Sequence, residues 1–163
     1  MPLDLVPLPV SLTRHDGPGF RVTAATPIVA GWGARPEAEL LASMLASVFG
    51  RTPTVSDEDG TAPAGPIIHL RREAIPGDHE EGYLLSVAAT GVILTAGTAI
   101  GLSRAIQTLV QLLPPRAPDG AELAAVSIAD HPRFPWRGAM LDPARHFLPV
   151  AEVLRFIDLL ARQ

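Results

Sequence analysis

Proline and glycine fall so often along this chain that no regular element can run far. Seventeen Pro and fourteen Gly are spread over 163 residues; each Pro removes a backbone donor and each Gly loosens the backbone. Long helices and coiled coils are thereby excluded, and short elements joined by turns are expected. Apolar residues make up 47% and charged residues 18%, which supplies a packed core and excludes global disorder. The length matches one domain on the usual prior of ~150 residues each.

Several chemistries drop out at once. The chain has no Cys, so disulfides, zinc–thiolate centres and thiol nucleophiles are excluded. All thirteen basic residues are Arg, and neither Lys nor Asn occurs. A Schiff-base lysine, a Walker lysine and N-glycosylation go with them. The same usage fits a GC-rich genome. A net charge of −4 and a pI near 5.7 argue against nucleic acid as a partner, which requires a basic face. The opening MPLDLVPLPV has three prolines and no basic n-region, so it does not read as a secretory signal. No apolar stretch nears the ~20 residues of a membrane span. A soluble chain is expected, cytoplasmic, or secreted if a longer precursor lost its leader.

Patterning divides the chain. Residues 5–10 alternate with prolines and read as an extended edge segment. Residues 20–23 and 27–30 are short strand candidates. Arg35, Pro36 and Glu37 open a helix over 36–49, with a proline and an acid in its first turn. Leu40, Leu41, Met44, Leu45, Val48 and Phe49 recur at helical spacing, and Gly50 stops the run. Residues 52–66, including Asp57, Glu58 and Asp59, read as a solvated loop without the ligand spacing of a metal site. Strands are expected at 67–70, 82–87 and 91–96, the last two joined as a hairpin. A second helix spans about 100–113, with Leu102, Ile106, Leu109, Val110 and Leu113 on one face, and Pro114 and Pro115 end it. The front of the chain reads as an α+β domain: a mainly antiparallel sheet with both helices on one face. Residues 136–141 then suit a strand, and Val150, Val153, Leu154, Ile157, Leu160 and Ala161 mark an amphipathic helix. One βα unit cannot bury both its faces, so the chain reads as cut. Its uncovered apolar side chains predict self-association.

Common catalytic patterns are missing. There is no GxSxG elbow, no GxxxxGK[ST] loop and no HExxH, since His79-Glu80-Glu81 lacks a second histidine at the needed spacing. Gly17-Pro18-Gly19 and Gly31-Trp32-Gly33 read as turns. The histidines His15, His69, His79, His131 and His146 are scattered and read as surface or hydrogen-bonded groups; no metal and no cofactor is expected. What remains is a cluster near the end. Arg137 lies in or beside the predicted strand, and Asp142, Arg145 and His146 lie just beyond it. In a βα barrel that strand end carries binding and catalytic groups, and an Arg fork suits vicinal hydroxyls or a carboxylate. An Arg–Asp pair that merely ties down the loop is the competing use of Arg137 and Asp142.

The run from Asp130 to Phe147, DHPRFPWRGAMLDPARHF, resembles the start of the catalytic domain of glycoside hydrolase family 20, the β-N-acetylhexosaminidases. The family pattern D-x-P-R-F-x-W-R-G-x-x-L-D-x-x-R-H-F is met at every fixed position. Upstream, GYLLSVAATGVILTAGTAIGLSRAIQTLVQLL is similar to the end of the family's N-terminal domain. There a Y-x-L-x-V strand, a hairpin and a G-x-x-x-x-x-Q-T-L-x-Q-L helix precede the barrel.

The resemblance implies an N-terminal α+β accessory domain at 1–129 and the start of a (β/α)8 barrel at 130–163, incomplete because a barrel needs ~250 residues. It implies a parent enzyme that removes non-reducing terminal N-acetylhexosamine from glycans by substrate-assisted retaining hydrolysis, outside the usual two-carboxylate scheme. The arginine matching Arg145 is the one expected to bind hydroxyls of the terminal sugar. The paired Asp-Glu that orients the acetamide and protonates the leaving oxygen has no counterpart here. Glu80-Glu81 and Asp57-Glu58 lie in the accessory domain, so no catalytic residue is assigned and the isolated chain is expected to be inactive. Two other readings are weighed: a non-catalytic accessory or interaction module without a barrel, and a different barrel glycosidase with a similar front domain.

Overall fold

Two apolar rows, each running across successive strands, fix the architecture. In the computed structural model, which describes residues 5–58, 65–77 and 79–162, Leu12, Ile128, Leu85, Leu94, Leu70 and Ala30 stand side by side on neighbouring strands. Val126, Val87, Val92, Ile68 and Ile28 form the parallel row. Because side chains alternate along a strand, both rows face one side of the sheet. The intervening row, Thr13, Ser127, Ser86, Ile93, His69, Val29 and Ser56, faces the other.

The strands are β1 (Ser11–Arg14), β2 (Phe20–Val22), β3 (Ile28–Ala30), β4 (Val55–Asp57), β5 (Ile67–Arg72), β6 (Tyr83–Ala88), β7 (Gly91–Ala96), β8 (Ala121–Leu123) and β9 (Val126–Asp130). The helices are α1 (Arg35–Phe49), α2 (Ala99–Gln111) and α3 (Val150–Ala161). Seven strands form one sheet in the order β1-β9-β6-β7-β5-β3-β4, and β2 pairs with β8 apart from it. Helices α1 and α2 touch each other and pack on the strands around β3, β5 and β7, so they share a face as expected.

The sheet corrects the expectation of a mainly antiparallel arrangement. The pairs β3–β4, β3–β5 and β5–β7 are parallel, while β6–β7, β6–β9 and β1–β9 are antiparallel. The sheet is mixed, and the reason is connection length. A tight turn such as that between β6 and β7 forces antiparallel neighbours, whereas a helix as long as α1 carries the chain back so that β4 lies parallel to β3. Strand candidates show up in local pattern; strand direction does not.

Other corrections are local. Residues 5–10 are not a strand: Pro7 and Pro9 cannot donate, and two remaining donors go to side chains, Val6 N–H to Gln111 Oε1 at 3.0 Å and Val10 N–H to Asp130 Oδ1 at 3.0 Å. The edge strand is β1, immediately after. The predicted loop at 52–66 contains β4, which pairs with β3 although Val55 is its only apolar residue; residues 59–64 of that loop lie outside the described residues. In α1 the buried stripe is Ala38, Leu41, Ala42, Leu45, Val48 and Phe49, while Leu40 is exposed. Gly50 ends the helix as expected, donating its N–H to Ala46 O at 2.9 Å. In α2, Thr98 is the N-cap and its hydroxyl accepts from Gly101 N–H at 3.0 Å, which satisfies one of the free first-turn donors.

The chain divides into two compact units, Met1–His131 and Pro132–Gln163. The predicted junction at 129/130 falls inside β9. In the second unit the strand predicted at 136–141 is not formed: the described residues 132–149 are turns and irregular backbone, followed by α3. A strand exists only through the ladder that takes up its N–H and C=O groups, and no second strand lies among the described residues of this unit. None of the residues of α3 is buried. Among the described residues no helix is long and apolar enough to cross a membrane.

Candidate functional site

The terminal motif begins on a firm anchor in the first unit. Asp130 closes β9, and its two carboxylate oxygens are both used. Oδ1 accepts Val10 N–H at 3.0 Å, and Oδ2 accepts the Tyr83 hydroxyl at 3.1 Å. The same hydroxyl lies 2.6 Å from Thr108 Oγ1 on α2. Tyr83 is 3% exposed; burial, reinforced by the Asp130 charge, pushes its phenol well above the ordinary tyrosine value. The hydroxyl therefore stays protonated and donates. One aromatic side chain thus ties β6, α2 and the end of β9 together where the chain leaves the sheet.

Beyond His131, Arg137, Asp142 and Arg145 make short local contacts. Arg137 Nη1 donates to Phe134 O at 2.6 Å. Asp142 Oδ1 accepts Ala144 N–H at 3.1 Å, an Asx-type turn two residues long. Its other oxygen lies 3.3 Å from Arg145 Nε. The loop-tying Arg–Asp pair considered for Arg137 and Asp142 is therefore made by Asp142 with Arg145 instead. Arg145 is 87% exposed along its side chain, and an ion pair in that setting contributes only ~0–1 kcal/mol. It orients the guanidinium more than it stabilises the fold. His146 is exposed and lies beside it in sequence.

The other residues singled out in the sequence are elsewhere. Glu81 pairs with Arg104 Nε at 2.9 Å, and the Glu80 carbonyl accepts the Thr98 hydroxyl at 2.6 Å, so both serve the start of α2. Asp57 pairs with Arg35 at 2.9 Å. His15 Nε2 lies 2.8 Å from Ser127 Oγ. His79 and His131 stack with ring centroids 3.6 Å apart. Among the described residues no group of three or more His, Asp or Glu could hold a metal ion.

His69 is hydrogen-bonded, one of the two settings expected of the histidines, but its burial was not foreseen. It is 6% exposed, its Nδ1 accepts from Arg71 Nε at 3.2 Å, and its Nε2 faces Glu58 Oε2 at 3.5 Å. Burial, aided by the Arg71 charge, lowers its pKa below the ordinary histidine value, against a weaker pull from Glu58. The place of His69 between Ile68 and Leu70 puts it on the sheet face opposite theirs, which does not by itself say whether that position is covered. Its burial comes from neighbouring strands that no local pattern announces.

Two family models together match nearly the whole chain. The family model described as "Glycosyl hydrolase family 20, domain 2" matches residues 3–131, and "Glycosyl hydrolase family 20, catalytic domain" matches residues 134–163. The chain belongs to glycosyl hydrolase family 20. Relatives within family 20 agree in sequence and in fold. A beta-N-acetylhexosaminidase of Cellulomonas fimi is 37% identical over 161 residues, 96% of this chain and 32% of the relative. A mutant beta-hexosaminidase of Streptomyces plicatus, solved in complex with its product GlcNAc, superposes with a TM-score of 0.84 at 38% identity, over 99% of this chain and 33% of that one. A family 20 beta-N-acetylhexosaminidase of Streptomyces coelicolor gives 0.82 at 37% identity, over 99% and 33%. This chain spans about a third of the length of these relatives.

Proposed function

We propose that this chain is the front portion of a β-N-acetylhexosaminidase, with residues 1–129 as its accessory domain and residues 130–163 as the incomplete start of its (β/α)8 barrel. In this reading the whole enzyme removes a non-reducing terminal N-acetylhexosamine from glycans with retention, using the substrate's own acetamide. The acetamido oxygen attacks the anomeric carbon while a carboxylic acid protonates the departing glycosidic oxygen. No residue of this chain is assigned to that acid or to the carboxylate that orients the acetamide. The chain's own contribution is Arg145, as donor to hydroxyls of the terminal sugar.

The observation that carries this reading is how Arg145 is presented, within the segment that matches the family's catalytic domain. Asp142 engages Nε from one side, which leaves the two terminal nitrogens of an exposed guanidinium for a ligand. A planar fork of donors suits a pair of adjacent hydroxyls. An accessory module without a barrel has no use for such a group.

The test is to extend the gene past Gln163 and assay its product on a chromogenic N-acetylglucosaminide. A barrel-length continuation with an Asp-Glu pair is expected. Arg145→Ala should lower kcat/KM roughly ten- to a hundredfold, the range for losing charge-assisted hydrogen bonds. The 163-residue chain alone should give no turnover above the buffer blank, because no general acid is positioned. A stop codon after Gln163, or turnover indifferent to Arg145→Ala, overturns the proposal.

A further inference from the structure

The turn between β3 and α1 presents a tryptophan that the fold does not use. Trp32 is 93% exposed, although the core has aliphatic side chains on both helices and seven strands. Its two neighbours have no side chains, so nothing adjacent in sequence shades either face of the ring. Both glycines are required by the backbone. A Cβ on Gly31 would lie 2.8 Å from Leu70 O, and Gly33 has φ of +71°, a conformation L side chains rarely adopt. The turn is therefore built tightly and holds an indole in water.

The surroundings are polar and ordered. Strands β4, β3 and β5 run parallel, and all three end beside this turn. Arg72, the last residue of β5, donates from Nη1 to Gly33 O at 3.3 Å. Asp57, the last residue of β4, accepts from Arg35 Nη1 at 2.9 Å, and Arg35 Nε donates to Glu39 at 2.8 Å. In open sheets, ligands gather beyond the carboxyl ends of parallel strands. Glu58 Oε2 lies 3.5 Å from where a Cβ on Gly31 would stand, and Arg71 follows on β5, so three arginines and three carboxylates nearly cancel and the rim does not favour an anion. Nor does a single ring inside a charged rim form the contiguous apolar patch that a second copy of the chain would need. An apolar ring face beside fixed donors and acceptors matches a neutral sugar, whose C–H face stacks while its equatorial hydroxyls pair at the edge.

We propose that Trp32, together with Arg72 and the ion-paired Arg35, Asp57 and Glu39 around its turn, is a saccharide-binding site of the first unit, separate from Arg145. It takes a neutral pyranose ring of a glycan and serves to hold the polymer. Only the choice of N-acetylglucosamine oligomers as first probe rests on the hydrolase reading; the site itself asks for no acetamide.

The 163-residue chain carries two tryptophans, so in a Trp136→Phe background the indole emission reports Trp32 alone. Chitotriose, cellotriose and maltotriose are titrated separately up to about 10 mM, the range of weak sugar binding. A saturable change in emission with at least one of them is expected. In calorimetry, Trp32→Ala should abolish binding and Arg72→Ala should weaken it about tenfold. Circular dichroism should be unaltered in both variants, since both side chains are exposed. No emission change with any of the three, or binding that survives Trp32→Ala, overturns the proposal. So does a Trp32-dependent dimer in sedimentation that the sugars do not dissolve. Binding of cellotriose or maltotriose without chitotriose would uphold this site while counting against the N-acetylhexosamine reading. Turnover by the extended gene product without any binding at Trp32 would do the reverse.

Discussion

Helices α2 (Ala99–Gln111) and α3 (Val150–Ala161) are nearly equal in length, and each carries an apolar stripe at helical spacing. In α2, Leu102, Ala105, Ile106 and Leu109 are wholly buried, whereas in α3 Leu154, Ile157 and Leu160 remain 56%, 53% and 39% exposed. Their starts differ as well. Thr98 caps α2 with its hydroxyl, while Pro149 precedes α3 with no side-chain cap. The pair separates two things that amphipathic patterning joins. A stripe sets which face of a helix needs cover; whether that cover exists depends on strands contributed from elsewhere in the chain. The first unit supplies them to α2 from β5, β6 and β7, and no residue of α3 is buried.

The comparison breaks most visibly under truncation of matched residues. Ile106→Ala should cost about 2–5 kcal/mol, the range for emptying a close-packed site. Ile157→Ala should stay within about 0.5 kcal/mol, as for a surface change. Urea unfolding followed by far-ultraviolet circular dichroism measures both, and equal losses would mean that α3 is as fully covered as α2.

Tyr83→Phe sharpens the contrast between anchored and unanchored segments. It removes the hydroxyl shared by Thr108 and Asp130 and leaves a buried Thr108 oxygen short of a partner. A loss of about 1–3 kcal/mol is expected, with amide exchange at β9 accelerating more than exchange in α1. Unchanged exchange at β9 would show that the hydroxyl does not fix the strand from which the second unit departs.

The smallest effect is a pH slope confined to the first unit. Folded His69 holds its proton less tightly than an unfolded histidine, because burial and Arg71 disfavour the charge. Above the ordinary histidine value of ~6.5 both states are neutral and His69 contributes no slope. As pH falls below that value the unfolded chain binds the proton first, so stability drops. The fall ends once the folded state is protonated too. His69→Gln should flatten this part of the stability–pH curve, and an unchanged curve would place the slope on other groups.

Much of the first unit was legible because its signals are local. Pro36 near the start and Gly50 at the end bracket α1, Pro114 follows the turn that closes α2, and the β6–β7 hairpin needs only its own alternation and turn. The less visible strands show where such reading fails. Strand β4 has one apolar residue and exists because β3 offers it a ladder; β1 and β8 are short and equally dependent on β9 and β2. For the candidate site, Arg145 was legible as a motif position. Its partner was not, since Asp142 lies within reach of either Arg137 or Arg145 and only backbone turns choose between them. Trp32 was visible in sequence as part of a glycine turn, but its exposure was not.

By itself, then, the amino-acid sequence determined where helices start and stop, which faces are apolar, and which family motif the chain carries. Those depend on backbone preferences and contacts a few residues apart. Only the tertiary structure decided that three strand pairs run parallel, that His69 is buried and Trp32 is not, and that residues 136–141 form no strand. Each of these depends on partners distant in sequence. A backbone hydrogen-bond ladder or a buried face is a property of two segments together, and neither segment encodes it alone.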